Sequence, residues 1–168
     1  RPSIIFGVGD GFFNMLGALA RVLPVMPLFG GETKFQPVYV GDVAEAIAEA
    51  AKGNARAGTT YELGGPEILS NHELTELVLR YTNRRNPILP LPLGVGTLLS
   101  IPMGLMPKPL LTADRVRLLG IDNVVSEAAI ADRRTLQGFG ITPRPLDAVL
   151  PSYLWRFSQN GQFDRQTA

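Results

Sequence analysis

Residues 1–7 read Arg-Pro-Ser-Ile-Ile-Phe-Gly, and this stretch decides the class of fold. Ser3–Phe6 is a short apolar run closed by glycine, which predicts a β-strand buried on both faces, as in a parallel sheet. A glycine-rich loop, residues 7–11, follows. Apolar residues then recur at spacings of three and four from Phe12 to Leu23, which is typical of an amphipathic helix. Strand, loop and helix in this order predict an α/β protein.

The chain begins inside this predicted strand and without an initiator methionine. We therefore expect it to be the C-terminal part of a larger α/β protein that carries no complete active site in this part.

Strand-like and helical patterns continue to alternate further along the chain. Phe35–Val40 predicts a second β-type segment, which Pro37 restricts to an edge or an irregular stretch. Asp42 is placed to cap the N-terminus of a helix over residues 43–51. Thr60–Leu63 predicts a third strand, closed by glycines.

Helical signals dominate after residue 65. Ser70 and Glu73 have the capping-box spacing, so a helix should begin there. Thr112 is a further candidate N-cap, and residues 145–157 predict a last helix with a kink at Pro151.

Residues 86–107 form a stretch of 22 residues without a charged side chain. Its five prolines and three glycines argue against one membrane-spanning helix. One interpretation is a short strand, Ile88–Leu91, followed by a buried helix over about residues 93–105. The other is an apolar surface that docks on a membrane or a partner protein. The first interpretation is favoured.

Composition excludes several classes of site. Sixteen basic and fifteen acidic residues give a net charge of +1, so no strong field attracts nucleic acid. The chain has no cysteine and one histidine, His72, which excludes disulfides and any metal site of the Cys or multi-His kind. We expect neither a nucleic-acid partner nor a metal, and the lack of cysteine is typical of a cytoplasmic protein.

The sequence contains no recognisable catalytic motif. In the loop at residues 7–11 the third glycine comes one position too early for the dinucleotide fingerprint. No nucleophile elbow or Walker loop is present, and none of the four tyrosines is followed by a lysine four residues later. We therefore assign no catalytic residue.

Two segments resemble a known superfamily. Arg1–Gly7 resembles the Arg-Pro-x-x-Ile/Val-Phe/Tyr-Gly strand that follows the catalytic Tyr-x-x-x-Lys pair in extended short-chain dehydrogenases/reductases. Phe35–Ala44 resembles the later Val-x-Asp-Asp-Val-Ala block of the same superfamily. The order, the separation and the intervening helix also match.

The resemblance is closest to atypical members that include the nucleotide-binding accessory subunit family of respiratory complex I (NADH:ubiquinone oxidoreductase). Gln36–Val40 has a sequence distinctive of that family, and Asp10–Asn14 has a near counterpart in it. Residues 89–93, 111–116 and 136–141 agree in order, so the resemblance covers nearly the whole chain.

This resemblance implies an α/β fold with the C-terminal portion of a Rossmann-type doubly wound sheet and a mostly helical subdomain. Residues 1–65 would be the remainder of the Rossmann-type domain. Residues 66–160 would form the helical subdomain on the substrate or partner side, and residues 161–168 a polar tail.

The resemblance also implies a cofactor, NADP(H) or NAD(H), bound mainly by residues upstream of this chain. Pro2, Ser3 and Ile4 would line its nicotinamide end, where a proline without N–H and a small serine let a flat ring come close. The residues expected to face a substrate or partner are Phe12, Phe13, Met15, Phe35 and Gln36.

Two departures from the family pattern bear on the substrate. Sugar-nucleotide epimerases of this group often carry an arginine, which holds a diphosphate, at the position of Phe35. The usual first aspartate of the later block is Gly41 here. Because Phe35 cannot pair with phosphate, a nucleotide-sugar substrate is disfavoured, and Asp42 is interpreted as a helix cap.

Two hypotheses of function follow. In the first, the intact protein is an accessory or assembly protein with a structural dinucleotide, and residues 86–107 contact complex I or the membrane surface. It would then lie at the inner face of a respiratory membrane. In the second, it is an active NAD(P)-dependent reductase or epimerase/dehydratase for a small apolar substrate. An upstream Tyr-x-x-x-Lys pair would favour the enzyme.

Overall fold

The structure is a computed structural model, and it describes residues 1–96, 117–159 and 161. The described strands are short: β1 (Ile5–Phe6), β2 (Met26–Phe29), β3 (Lys34–Phe35), β4 (Val38–Tyr39), β5 (Leu69–Ser70) and β6 (Ile88–Leu91). The α-helices whose full extent is described are α1 (Phe13–Val22), α2 (Val40–Glu49), α3 (Asn71–Tyr81), α4 (Glu127–Ala131), α5 (Leu146–Val149) and α6 (Pro151–Leu154).

The strands pair two by two within the described ranges. β1 pairs with β4, and β2 pairs with β6, both in parallel. β3 pairs with β5 in antiparallel orientation. A single parallel bridge joins Pro2 to Leu63, and another joins Phe35 to Asn123. Parallel pairs separated by helices are the arrangement expected of an α/β protein.

The first predicted elements are found, with one correction. Helix α1 has the predicted position, and its apolar face is buried. The strand is shorter than Ser3–Phe6, and it is not buried on both faces, because Ile5 is 39% exposed while Phe6 is fully buried. Within the described residues, only the face of β1 that carries Phe6 packs against the core.

The segment predicted as Phe35–Val40 divides around Pro37. β3 ends before this proline and β4 begins after it, because a residue without N–H cannot continue a ladder. Helix α2 begins at Val40, so the prediction that Asp42 is its N-cap is wrong. Asp42 lies in the first turn, where a carboxylate is stabilised by the helix dipole.

Two further strands differ from prediction. Thr60–Leu63 was predicted as a strand, but only Leu63 makes a bridge, since the amide of Glu62 donates to the carbonyl of Arg134 instead. β2 was not predicted, because Pro27 lies within it. A strand tolerates a proline at a position where no backbone N–H is needed to bond the partner strand.

The later elements agree with prediction where they are described. Ser70 caps α3 in a complete capping box with Glu73. β6 has the predicted bounds, Ile88–Leu91. Residues 93–96 are helical. The remainder of the helix predicted over residues 93–105, and the candidate N-cap Thr112, lie outside the described residues.

The last predicted helix is present in two parts. α5 and α6 are separated at Leu150, directly before Pro151, and a 3₁₀ turn over Trp155–Phe157 follows α6. Within the described ranges, no helix has the length and apolar character needed to cross a bilayer.

Two clusters of buried apolar side chains form the core. The larger includes Phe6 and Phe13 from the first part of the chain, Leu74 from α3, and Leu150 and Leu154 near the C-terminus. The second also draws on both parts of the chain, with members Val38, Val43, Ala46, Leu63, Leu136 and Ile141. The boundary at residue 65 between two domains stays a prediction, and the core residues on its two sides pack together.

A polar contact joins the glycine-rich loop to the C-terminal helices. The hydroxyl of Tyr153 donates to one carboxylate oxygen of Asp10 at 2.6 Å, and the other oxygen accepts from the backbone N–H of Phe13 at 2.6 Å. Asp10 therefore binds the first backbone N–H of α1 and anchors α6 at once. Burial and the Asp10 carboxylate raise the pKa of Tyr153 well above its usual range.

Replacing Tyr153 by phenylalanine should lower the free energy of unfolding by about 1–3 kcal/mol, because Asp10 loses a charge-assisted hydrogen bond. Since the folded state holds the phenol proton more tightly, this contribution is complete below the unfolded pKa of about 10 and decreases progressively as the pH rises from there towards the folded-state pKa. Chemical denaturation between neutral pH and about pH 11 should show a decline for the wild type that is smaller in Tyr153→Phe.

Tyr39→Phe is the matched control, since the Tyr39 hydroxyl makes no hydrogen bond to the described residues. Equal stability of the Tyr153→Phe protein and the wild type would show that the contact with Asp10 contributes nothing.

Candidate functional site

An irregular segment, residues 121–126, divides two cavities. On one side lies a polar cavity of about 260 Å³, which we call the polar cavity, lined by Arg1, Pro2, Ser3, Glu62, Leu63 and residues 122–126. On the other side lies an apolar cavity of about 420 Å³, which we call the apolar cavity, lined by Ile4, Gly11, Phe12, Met15, Phe35, Leu118, Leu119 and residues 121–123. Asp122 and Asn123 line both cavities.

The backbone of Asn123 fixes this segment beside the first strand. Its N–H donates to the carbonyl of Lys34 at 2.8 Å. Its carbonyl accepts from the Ser3 hydroxyl at 2.7 Å and from the backbone N–H of Gln36 at 3.2 Å. Ser3 is buried, so this hydroxyl bond is shielded from water. The segment thereby extends the edge of β3 as a single parallel bridge.

The side chain of Gln36 bridges two neighbouring segments. Its Oε1 accepts from the N–H of Val125 at 2.9 Å, and its Nε2 donates to the carbonyl of Gly65 at 2.8 Å. A β-carbon at Gly65 would lie 2.0 Å from the carbonyl oxygen of Pro37, so only glycine permits this close approach.

Two carboxylates hold the ends of the segment. Asp122 Oδ1 accepts from the backbone N–H of Lys34 at 2.8 Å, and Glu62 Oε2 accepts from that of Ser126 at 2.8 Å. The bond from Ser126 holds the pKa of Glu62 below its usual range. The segment is thus fixed on both sides by groups far from it in sequence.

The predicted cofactor residues fall on different sides of the segment. Pro2 and Ser3 line the polar cavity, and Ile4 lines the apolar cavity.

The residues predicted to face a substrate or partner also divide. Phe12, Met15 and Phe35 line the apolar cavity together. Phe13 does not, because it is fully buried and its ring packs edge-on against Phe6 in the core. Gln36 lines neither of the two cavities, and its side-chain amide makes the backbone contacts described above.

Asp42 occupies a structural position outside both cavities. It is 1% exposed and accepts from the backbone N–H of Arg144 at 2.7 Å. The Arg144 guanidinium lies 5.0 Å from the centre of the Tyr39 ring. A β-carbon at Gly41 would lie 2.4 Å from that ring, which explains why glycine replaces the aspartate usual in the resembling family.

Residues 121–126 were not predicted to take part in the site. Their sequence, Ile-Asp-Asn-Val-Val-Ser, carries no periodic signal, and their placement depends on partners about a hundred positions away. In the part of the chain that the structure describes, no group of three or more His, Asp or Glu side chains could hold a metal ion.

Comparison with solved structures identifies the class of fold. The human epimerase family protein SDR39U1, solved with NADPH, matches 92% of this chain and 46% of its own, with a TM-score of 0.66 and 21% identity. A dTDP-4-dehydrorhamnose reductase ortholog from Clostridium acetobutylicum matches with a TM-score of 0.58 and 14% identity, over 92% of this chain and 46% of its own. The predicted fold class, an α/β fold with part of a Rossmann-type sheet, is confirmed.

Sequence relatives narrow this class. NADH dehydrogenase (ubiquinone) 1 alpha subcomplex subunit 9, mitochondrial, is 31% identical in Arabidopsis thaliana, over 96% of this chain and 42% of the relative. The subunit of the same name in Mus musculus is 35% identical, over 88% of this chain and 38% of the relative. The predicted resemblance to the complex I accessory subunit is therefore confirmed, and the chain spans about two fifths of the length of these relatives. No family profile matches the chain.

Gln36→Ala should loosen residues 121–126, because the Val125 N–H and the Gly65 carbonyl lose their partners. We expect a loss of about 1–3 kcal/mol in the free energy of unfolding and faster hydrogen exchange at the Val125 amide. Denaturation and exchange measured by mass spectrometry or NMR would test both effects.

Gln137→Ala is the control, since Gln137 is exposed and makes no side-chain hydrogen bond to the described residues. Unchanged protection of Val125 in Gln36→Ala would contradict the bridging role.

Proposed function

We propose that the intact protein is an NAD(P)(H)-binding accessory protein of respiratory complex I, in which the polar cavity receives the nicotinamide end of the cofactor. The observation that carries this proposal is the position of Pro2 and Ser3. Both line one cavity beside the parallel strand pair, at the place that the resemblance assigns to the nicotinamide.

The chemistry of the polar cavity supports a flat, polar ring. Pro2 presents no N–H, Ser3 is small, and Glu62, Asn123 and Ser126 supply polar groups around the opening. A solved neighbour adds support, since the human epimerase family protein SDR39U1 was solved with NADPH.

The charges around the polar cavity support binding of the nicotinamide end rather than the phosphates. Arg1 is the one basic residue that lines it among the described residues, and the carboxylates of Glu62 and Asp122 lie in the same wall. A diphosphate next to these carboxylates would be repelled. We therefore assign the phosphates and the adenosine to residues that precede this chain in the intact protein.

The accessory role rests on the relatives, which are named as subunits of NADH dehydrogenase and as mitochondrial. Exposed apolar side chains in the described part of residues 86–107 support a protein contact there, with Leu89 50% and Val95 40% exposed. We propose that this region faces complex I at the inner face of the respiratory membrane.

Titration of the full-length protein with NADPH should raise its melting temperature, because a ligand that binds only the folded state stabilises it. Pro2→Trp should lower the affinity about tenfold or more, since the indole would occupy the space of the nicotinamide. NADPH fluorescence gives the affinity directly.

Pro24→Trp, at an exposed proline outside the polar cavity, should leave the affinity unchanged. Failure of the wild type to bind NADPH or NADH would refute the cofactor proposal. Normal binding by Pro2→Trp would place the nicotinamide elsewhere.

Association with complex I can be tested with the double substitution Leu89→Asp and Val95→Asp. Two buried carboxylates at an apolar contact are costly, so the full-length variant should migrate apart from complex I in native gels probed for both proteins. Val22→Asp, 74% exposed on α1, serves as the control and should still comigrate. Comigration of the double variant would exclude residues 86–96 as the contact.

A further inference from the structure

The apolar cavity is lined mostly by apolar side chains. Ile4, Phe12, Met15, Phe35 and Ile121 line it, and the Phe12 and Phe35 rings lie 6.2 Å apart between centroids. Its volume of about 420 Å³ falls in the range of small-molecule sites. These walls fit the hydrocarbon body of a small ligand.

The charge of the lining selects against anions. No Lys, Arg or His lines the apolar cavity among the described residues, and its one ionisable residue there is Asp122. A carboxylate or phosphate ligand would lose its hydration without gaining a cation, and it would approach a like charge. The ligand for this cavity is therefore not an anion.

One polar edge remains available for hydrogen bonding. The backbone of Asn123 is held by Lys34, Ser3 and Gln36, while its exposed side-chain amide has no partner among the described residues. Asp122 uses one carboxylate oxygen for the Lys34 N–H, and its other oxygen accepts no hydrogen bond from those residues. A hydroxyl placed here can donate to Asp122 and accept from Asn123.

We propose that the apolar cavity binds an uncharged aliphatic alcohol, with the chain among Phe12, Met15 and Phe35 and the hydroxyl between Asp122 and Asn123. This site rests on the proposed function in one respect, since Asp122 and Asn123 also line the polar cavity assigned to the nicotinamide. It extends that function by naming the class of the second ligand.

The test uses nonanol as the probe and nonanoate as its anionic counterpart of equal length. Calorimetry on the full-length protein, with and without NADPH, should show nonanol binding at least about tenfold tighter than nonanoate. Asn123→Ala should weaken nonanol binding about fivefold. Ile121→Asp should abolish it by placing a charge in the wall.

Ile130→Asp is the matched control, because Ile130 is 60% exposed, close to the 62% of Ile121, and lies outside the apolar cavity. It should bind nonanol as the wild type does. Equal affinity for nonanol and nonanoate, or unchanged nonanol binding in Asn123→Ala or Ile121→Asp, overturns the proposal. Binding of nonanol by a protein that binds no NADPH would refute the cofactor function and leave this inference standing.

Discussion

The docking of residues 121–126 against Ser3 and Gln36 is the interaction on which the site depends. The segment belongs to no regular element, so its backbone groups need partners from elsewhere. Lys34, Ser3, Gln36 and Glu62 supply them. Because the segment forms a wall of each cavity, its loss would merge the polar and the apolar cavity into one open groove.

The parts of the fold that sequence could predict are those determined locally. Helix α3 carries its own capping box, and α1 carries an apolar face, so both were found at the right place. β2 and the bridge at Leu63 were misjudged because their state depends on partners distant in sequence. Pro27 argued locally against a strand at β2, whereas Thr60–Leu63 was interpreted locally as a strand. In both places tertiary pairing decided the outcome.

The same limit applies to the candidate site. Pro2, Ser3, Phe12, Met15 and Phe35, which were expected to face a cofactor or a second ligand, line the two cavities. The sequence could not separate Phe13, which is buried in the core, from its neighbour Phe12. Helix rotation decides that difference, since adjacent residues on a helix point about 100° apart. Asp42 was also misjudged. Its position in the sequence suggested a helix cap, but its buried carboxylate accepts a hydrogen bond from the backbone N–H of Arg144, 102 residues later.

The contact of Tyr153 with Asp10 has a consequence for how the chain folds. It spans 143 positions, and the bond of Ser3 to Asn123 spans 120, so loops of nearly the whole chain must close before either forms. Chains dominated by such distant contacts fold slowly. Until the C-terminal helices arrive, the part of the α1 surface that packs on them stays in contact with water, where it favours aggregation. Production of this protein should therefore benefit from low temperature and from chaperones that shield apolar surface during the slow closure of its ends.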